Sequence, residues 1–279
     1  LDKTFGELRA PKYIKDTANK KYIAVKRTSN PKWEESSCTI FPRMYSPDES
    51  RKHPIYYKMW SGMGENSYDK PTFGQNLKYF FRYQVNHMYW RYFMWNFVGR
   101  QNDIQSYGLN YENAPADASN GTKDLIHGNW ISGFKFLDAA RLGPQKNLPT
   151  DLANNKGRNT LYFLPLILGL CGLIYHIKKN GKDAFVVFLL FFMTGLAIVL
   201  YLNQPPCQPR ERDYAYAGSF YAFAMWIGLG VYALCDWLKK WKMNENTKAI
   251  VISGVCLVAV PILMASQEWD DHDRSERYA

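Results

Sequence analysis

The residues best suited to chemistry stand in one short block, Arg210-Glu211-Arg212-Asp213, behind Pro205, Pro206 and Pro209 and ahead of an aromatic, small-residue run. Two guanidinium groups at alternate positions offer forked donors to phosphate oxygens, and partial dehydration near a membrane strengthens such contacts. Arg210 and Arg212 therefore suit the phosphate of a lipid-linked donor. Glu211 and Asp213 would support them, by orienting the guanidinium groups or by neutralising them. The same four residues suit an internal salt-bridge lock equally well.

Three further sets carry polar chemistry. Within Leu77–Val98, Gln84, His87 and Arg91 share one helical stripe, while Lys78, Arg82, Asn86 and Asn96 share another. If the first stripe faces a cavity, Arg91 meets a phosphate; if the helix lies on a membrane surface, its Trp and Tyr residues sit at headgroup level. Arg100-Gln101-Asn102-Asp103 follows, with Asn102 and Asp103 polar enough for an acceptor or glycan, or for a plain helix cap. Asp270-Asp271-His272-Asp273-Arg274 could take a divalent cation. Consecutive residues on a helix cannot all face one ion, so no metal site is expected there.

The elements that must hold these groups read as a membrane protein. The 279 residues average a mean hydropathy of −0.38, yet the apolar side chains crowd into four runs, at 161–177, 184–202, 214–238 and 249–266. The first is 17 residues, roughly 25 Å of helix, near the lower limit for a span. Lys178-Lys179-Asn180-Gly181-Lys182 joins the first two runs, and Lys239-Lys240-Trp241-Lys242 follows the third. By the positive-inside rule both basic tips are cytoplasmic. Residues 1–160, the 203–213 loop and the polar tail 267–279 then lie outside. The net charge of +10 first suggests nucleic acid, but basic edges of membrane spans account for it, and no nucleic-acid partner is expected.

The outer half mixes short β-type stretches, Lys21–Lys26 and Cys38–Phe41, with the aromatic helix near 77–98 and a loop-like region at 99–129. Of five cysteines, Cys171, Cys235 and Cys256 fall in apolar runs as inert thiols. Cys38 and Cys207 share the outer compartment, where a disulfide is chemically permitted. Gly-rich nucleotide loops, HExxH and hydrolase signatures are missing from the 279 residues.

Several segments read together: FPRMYS (41–46), MYWRYFMWNFVGRQND (88–103), GNWISG (128–133), LGPQ (142–145), NKGRN (155–159) with YFLPLILGL, and NQPPCQPRERDYAYAGSFYAFAMWIGLGV (203–231). They resemble the large bacterial membrane proteins grouped as domain of unknown function 2723, a family similar to animal transmembrane protein O-mannosyltransferases of the GT-C class. The resemblance runs from about Phe41 to the end and is most specific at 203–231. It implies an all-α, polytopic, GT-C-like protein of the bacterial inner membrane, with residues 1–160 on the periplasmic side. It further implies transfer of a sugar, mannose for instance, from a polyprenyl-phosphate donor to an extracytoplasmic acceptor such as a protein. In such enzymes an acidic residue in the first outer loop serves as general base. That early motif and the family's soluble C-terminal region have no counterpart here, so the chain reads as an internal piece whose catalytic carboxylate lies elsewhere. The rival expectation is a non-enzymatic scaffold or assembly subunit, with the Arg-Glu-Arg-Asp loop as a lock. A transporter is weaker, because no run carries a charge near its midpoint.

Overall fold

The computed structural model describes residues 4–8, 12–26, 29–32, 43–46, 52–64, 67, 69–110, 122–146, 148–240 and 244–272. They divide into two compact units, Leu1–Arg43 and Met44–Ala279.

The first unit is built from two antiparallel strand pairs. β1 (Thr4–Leu8) pairs with β4 (Ser29–Lys32), and β2 (Lys12–Asp16) pairs with β3 (Lys21–Lys26). The Asp16 carboxylate closes the β2–β3 turn by accepting from the Ala18 and Asn19 backbone N–H groups and the Asn19 side chain. β3 is the strand expected from the alternating KYIAVK pattern. The expected strand at Cys38–Phe41 lies outside the described residues.

The second unit begins with α1 (His53–Ser61), started by Pro54 and stopped by Gly62 at φ 74°. A reciprocal cap between Thr72 and Gln75 then opens α2 (Phe73–Tyr79). This helix continues through a π-helical stretch, Phe80–Trp90, into α3 (Arg91–Phe97). The widened register is explicit where the Arg91 backbone N–H donates to Asn86, five residues back. A two-residue ladder, β5 (Leu109–Asn110) with β6 (Thr122–Lys123), and two short helices, α4 (Lys135–Leu142) and α5 (Thr150–Ala153), lead to the apolar half.

Among the described residues, three helical segments are long and apolar enough to cross a membrane: Gly181–Leu202, Asp213–Trp237 and Glu245–Trp269. The first comprises α7 (Gly181–Met193) and α8 (Leu196–Leu202), broken at Thr194-Gly195. The second is a 3₁₀ turn, Asp213–Tyr216, running into α9 (Ala217–Trp237). The third is α10 (Glu245–Leu257), a π-helical turn at Val258–Ile262 that absorbs Pro261, and α11 (Leu263–His272). Three of the four expected runs thus form such segments. The first apolar run forms α6 (Leu164–Lys179), whose 16 residues reach about 24 Å, short of a hydrocarbon core of about 30 Å.

α6 is nonetheless packed tightly against α9. A Cβ at Gly172 would collide with the Trp226 carbonyl, and one at Gly230 with the Leu168 carbonyl, so two glycines bring the backbones together. Phe93, Met94, Phe97 and Val98 from α3 and its end join Phe223 and Trp226 of α9 in one core. The aromatic helix is therefore inserted against the long helices rather than lying on a surface. Its Gln84–His87–Arg91 stripe is buried, while Lys78 and Asn86 are exposed and Arg82 and Asn96 half-buried.

Both ends of the helices are cross-linked. At one, Lys179 approaches Asp236 at 3.6 Å, Lys239 also pairs with Asp236, and Lys248 Nζ donates to the Lys239 carbonyl at 3.4 Å. At the other, Thr160 N–H donates to Gln267 Oε1 at 2.6 Å, Asn159 Nδ2 to Glu268 Oε1 at 3.1 Å, and Arg100 pairs with Asp271. The long loops thus gather at one end of the helices and the basic turns at the other.

Candidate functional site

The site is built from two pieces far apart in sequence, the aromatic helix and the 203–213 loop. Asn203, at φ 41°, ends α8. The chain then lies along the helix, whose phenols and amide capture loop carbonyls that proline-rich backbone cannot satisfy internally. Tyr79 donates to the Gln204 carbonyl at 2.8 Å, Gln84 Nε2 donates to the same oxygen at 3.0 Å, and Tyr83 donates to the Pro205 carbonyl at 3.4 Å. Burial pushes the Tyr79 and Tyr83 phenols well above their ordinary range, so they act as neutral donors. Cys207 is buried as a free thiol, and burial raises it to about 12. Its suggested partner Cys38 lies outside the described residues.

Glu211 then turns inward. Its Oε2 accepts from Arg91 Nη2 at 2.8 Å and from the Tyr92 hydroxyl. Its Oε1 accepts from Arg91 Nη1 at 3.3 Å and from the Ser106 backbone N–H at 3.1 Å. Arg91 is committed in every direction: Nε donates to the His87 carbonyl at 2.9 Å, Nη1 also to the Gly128 carbonyl at 2.8 Å, and the guanidinium lies over the Tyr92 and Trp95 rings. Only 5% of its side chain is exposed. The Tyr92 hydroxyl in turn accepts from the Arg212 backbone N–H at 3.3 Å, fixing the loop on either side of Glu211.

This arrangement separates residues that looked equivalent. Arg91 is a structural cation facing Glu211, not a free phosphate ligand. Glu211 serves Arg91, not Arg210 or Arg212. Arg210 is exposed and stacks on Tyr214, donating to its hydroxyl at 3.1 Å. Arg212 is half-buried, and its Nε is shielded from solvent without a hydrogen-bond partner. Among the described residues neither has a carboxylate partner. Asp213 opens the 3₁₀ turn before α9, where a negative charge complements the helix start.

The polar loop 99–129 supplies the wall behind Glu211. Ser106 hands its hydroxyl to Asp124 Oδ2 at 3.0 Å, and Asp124 also caps the backbone of Ile126 and His127 and pairs with the His127 ring at 3.1 Å. Asn102 is fully buried, bonding the Ile126 carbonyl at 2.8 Å and the Gly128 N–H at 2.8 Å. It therefore shapes the loop rather than facing a ligand. Asp103 is exposed and accepts from Asn155 at 2.9 Å. His87 is buried, and its Nε2 donates to the Ser106 carbonyl at 3.2 Å. Burial, with help from Arg91, drives its pKa well below the ordinary value, so it is a neutral donor there. Sequence reasoning missed Tyr92, Ser106 and Asp124; Tyr92 stood beside a chosen arginine, but the other two carried no spacing signal.

No group of three or more His, Cys, Asp or Glu residues that could hold a metal ion occurs among the described residues. Asp271, from the acidic stretch that could have taken a cation, pairs instead with Arg100; Asp273 and Arg274 lie outside the described residues.

Residues 2–81 match a family of unknown function (DUF8416). No curated protein and no solved structure matches the chain. The match carries no activity, and it supplies no link to domain of unknown function 2723 or to mannosyltransferases.

Proposed function

We propose that the 203–213 loop binds the phosphate of a polyprenyl-phosphate-linked sugar through Arg210 and Arg212, within an integral membrane glycosyltransferase. The inward rotation of Glu211 carries this reading. With that carboxylate spent on Arg91, Tyr92 and Ser106, two neighbouring cations remain without acidic partners among the described residues, at the start of a helix long enough to span a membrane. A pair of guanidinium groups so placed favours a phosphate dianion or diester over a neutral ligand. The resemblance of residues 203–231 supplies the reaction class, sugar transfer to an extracytoplasmic acceptor.

The test is sugar transfer from labelled polyprenyl-phosphate donors by the full-length protein in membranes, with abundance measured in parallel. Arg212→Ala and Arg210→Ala should each lower transfer about tenfold or more at unchanged abundance, as the loss of a charged hydrogen bond of about 1.5–3 kcal/mol implies. Full activity in both variants removes the phosphate-binding role.

The commitment of Arg91 to Glu211 favours a second reading, a membrane scaffold whose loop is only a lock. Absence of transfer by the wild-type protein with any donor, together with a large loss of stability on breaking the lock, would select it.

A further inference from the structure

A second cluster lies around α4 and includes none of the 203–213 residues. It combines an exposed ring string with cations that lack acidic partners among the described residues. Phe134 meets Phe136 at 6.3 Å, Tyr162 at 5.6 Å and Phe163 at 6.3 Å between ring centroids. Phe136 is 73% exposed, with Phe134, Leu137 and Tyr162 exposed beside it. An exposed aromatic patch of this kind on a short amphipathic helix is unfavourable in water and matches the membrane interface. The string is tied to the first residues of α6, since Tyr162 N–H donates to the Ser132 carbonyl at 3.1 Å. α6 itself packs on α9, one of the three long apolar segments. The patch therefore sits where a bilayer would begin.

The cations stand one ring layer behind. The Arg141 guanidinium lies 3.5 Å from the centroid of Trp130, and Trp130 meets Phe163 at 6.3 Å. Arg141 Nη2 is buried without a hydrogen-bond partner. Trp130 bridges to Arg100, and Arg100 exchanges both backbone hydrogen bonds with Asn159, which brings Arg158 to the same small layer. Arg158 makes only a long contact, 3.4 Å, to the Gln101 carbonyl. The neighbouring carboxylate, Asp138, is consumed by Ser132 N–H at 2.8 Å, Ser132 Oγ at 3.0 Å and Gly133 N–H at 2.9 Å. Burial lowers the pKa of Arg141, to about 10, and of Arg158 and Lys123, with Arg141 and Lys123 also repelling each other. Arg141 and Arg158 thus stand near a carboxylate that is already spent, with Lys123 close enough to Arg141 for mutual repulsion.

We infer that α4 is an interfacial anchor whose Phe134–Phe136–Tyr162 string enters the acyl boundary while Arg141, Arg158 and Lys123 grip the phosphate of an anionic lipid headgroup. Aromatic rings at headgroup depth with basic residues beside them are the pattern such binding uses. The occupant is a lipid rather than a soluble anion, because the cations lie one ring layer behind an exposed apolar string next to the start of α6. The inference uses none of the 203–213 residues, so it stands or falls apart from the donor site.

The test titrates the intact protein in mild detergent with phosphatidylglycerol, phosphatidylcholine or inorganic phosphate, reading bound lipid by native mass spectrometry and the thermal midpoint. Phosphatidylglycerol should be retained and should raise the midpoint, whereas phosphatidylcholine should do neither. Arg141→Gln with Arg158→Gln should weaken phosphatidylglycerol binding about thirtyfold, at roughly fivefold per cation near the surface. Phe136→Ser and Lys123→Gln, both at exposed positions, give a reading even if the double variant fails to fold, and each should weaken retention about fivefold. Unchanged phosphatidylglycerol binding in those two variants overturns the inference. So does equal retention of phosphatidylcholine, or equal stabilisation by inorganic phosphate, which would mark a site for soluble anions.

Discussion

Glu211→Gln exchanges one oxygen for an amide nitrogen at a point where four donors converge. Arg91 Nη1 and the Ser106 N–H address one carboxylate oxygen, and Arg91 Nη2 and the Tyr92 hydroxyl address the other. Whichever way the glutamine turns, its NH₂ group faces two donors and the Arg91 charge loses its counter-ion. Removing one partner of a buried ion pair costs about 3–5 kcal/mol. Glu211 is 19% exposed against 5% for Arg91, which places the expectation at the lower end, about 3 kcal/mol. For a chain of this size that is a fall of about 6–12 °C in thermal midpoint, measured on the purified protein in one detergent at fixed lipid content. Replacing both partners, Arg91→Met with Glu211→Leu, removes the stranded charge and should recover a large part of the loss, so the cycle should show strong coupling. A shift below 2 °C for Glu211→Gln, or simple additivity in the double variant, refutes the lock.

Two further outcomes follow from buried groups and close contacts. His87 has a folded pKa depressed by burial, so its contribution is complete above the unfolded value near 6.5 and is lost as pH falls below it; the midpoint should drop by the equivalent of about 1.4 kcal/mol per pH unit from one proton, and His87→Asn should flatten that slope. Gly172→Ala forces a methyl into the Trp226 carbonyl and should cost about 1–3 kcal/mol or more, whereas Gly228→Ala, facing open space in the same pair of helices, should be neutral or slightly stabilising in the same thermal assay.

Local patterns were legible where one side chain period decides the outcome. The alternation of Lys21–Lys26 became β3 residue for residue, and the two stripes of the aromatic helix separated into a buried set and an exposed or half-buried one. The π register of Phe80–Trp90 was not legible, because widening the turn leaves the composition unchanged. The start of the helix in the apolar run at 161–177 was not legible, because hydropathy ignores where a helix begins. Left-handed backbone at Tyr162 and Phe163 delays α6 to Leu164. The partner of Arg91 lies 120 residues away, beyond any local rule. Asn102, which read as an acceptor-binding or capping residue, is buried, as are Ser132 and Asp138, which carried no sequence signal; each satisfies backbone groups that irregular chain leaves open.

The contacts at Gln267, Glu268 and Asp271 have a meaning for biosynthesis. Arg100, Asn159 and Thr160 leave the ribosome more than a hundred residues before the groups they bond. The small layer formed by segments 99–101, 129–131 and 158–160 can assemble early, but its far edge closes only when the last long helix has been inserted and its end delivered. A chain interrupted before residue 267 therefore keeps an open polar edge beside the bilayer, a feature by which an unfinished protein differs visibly from a finished one.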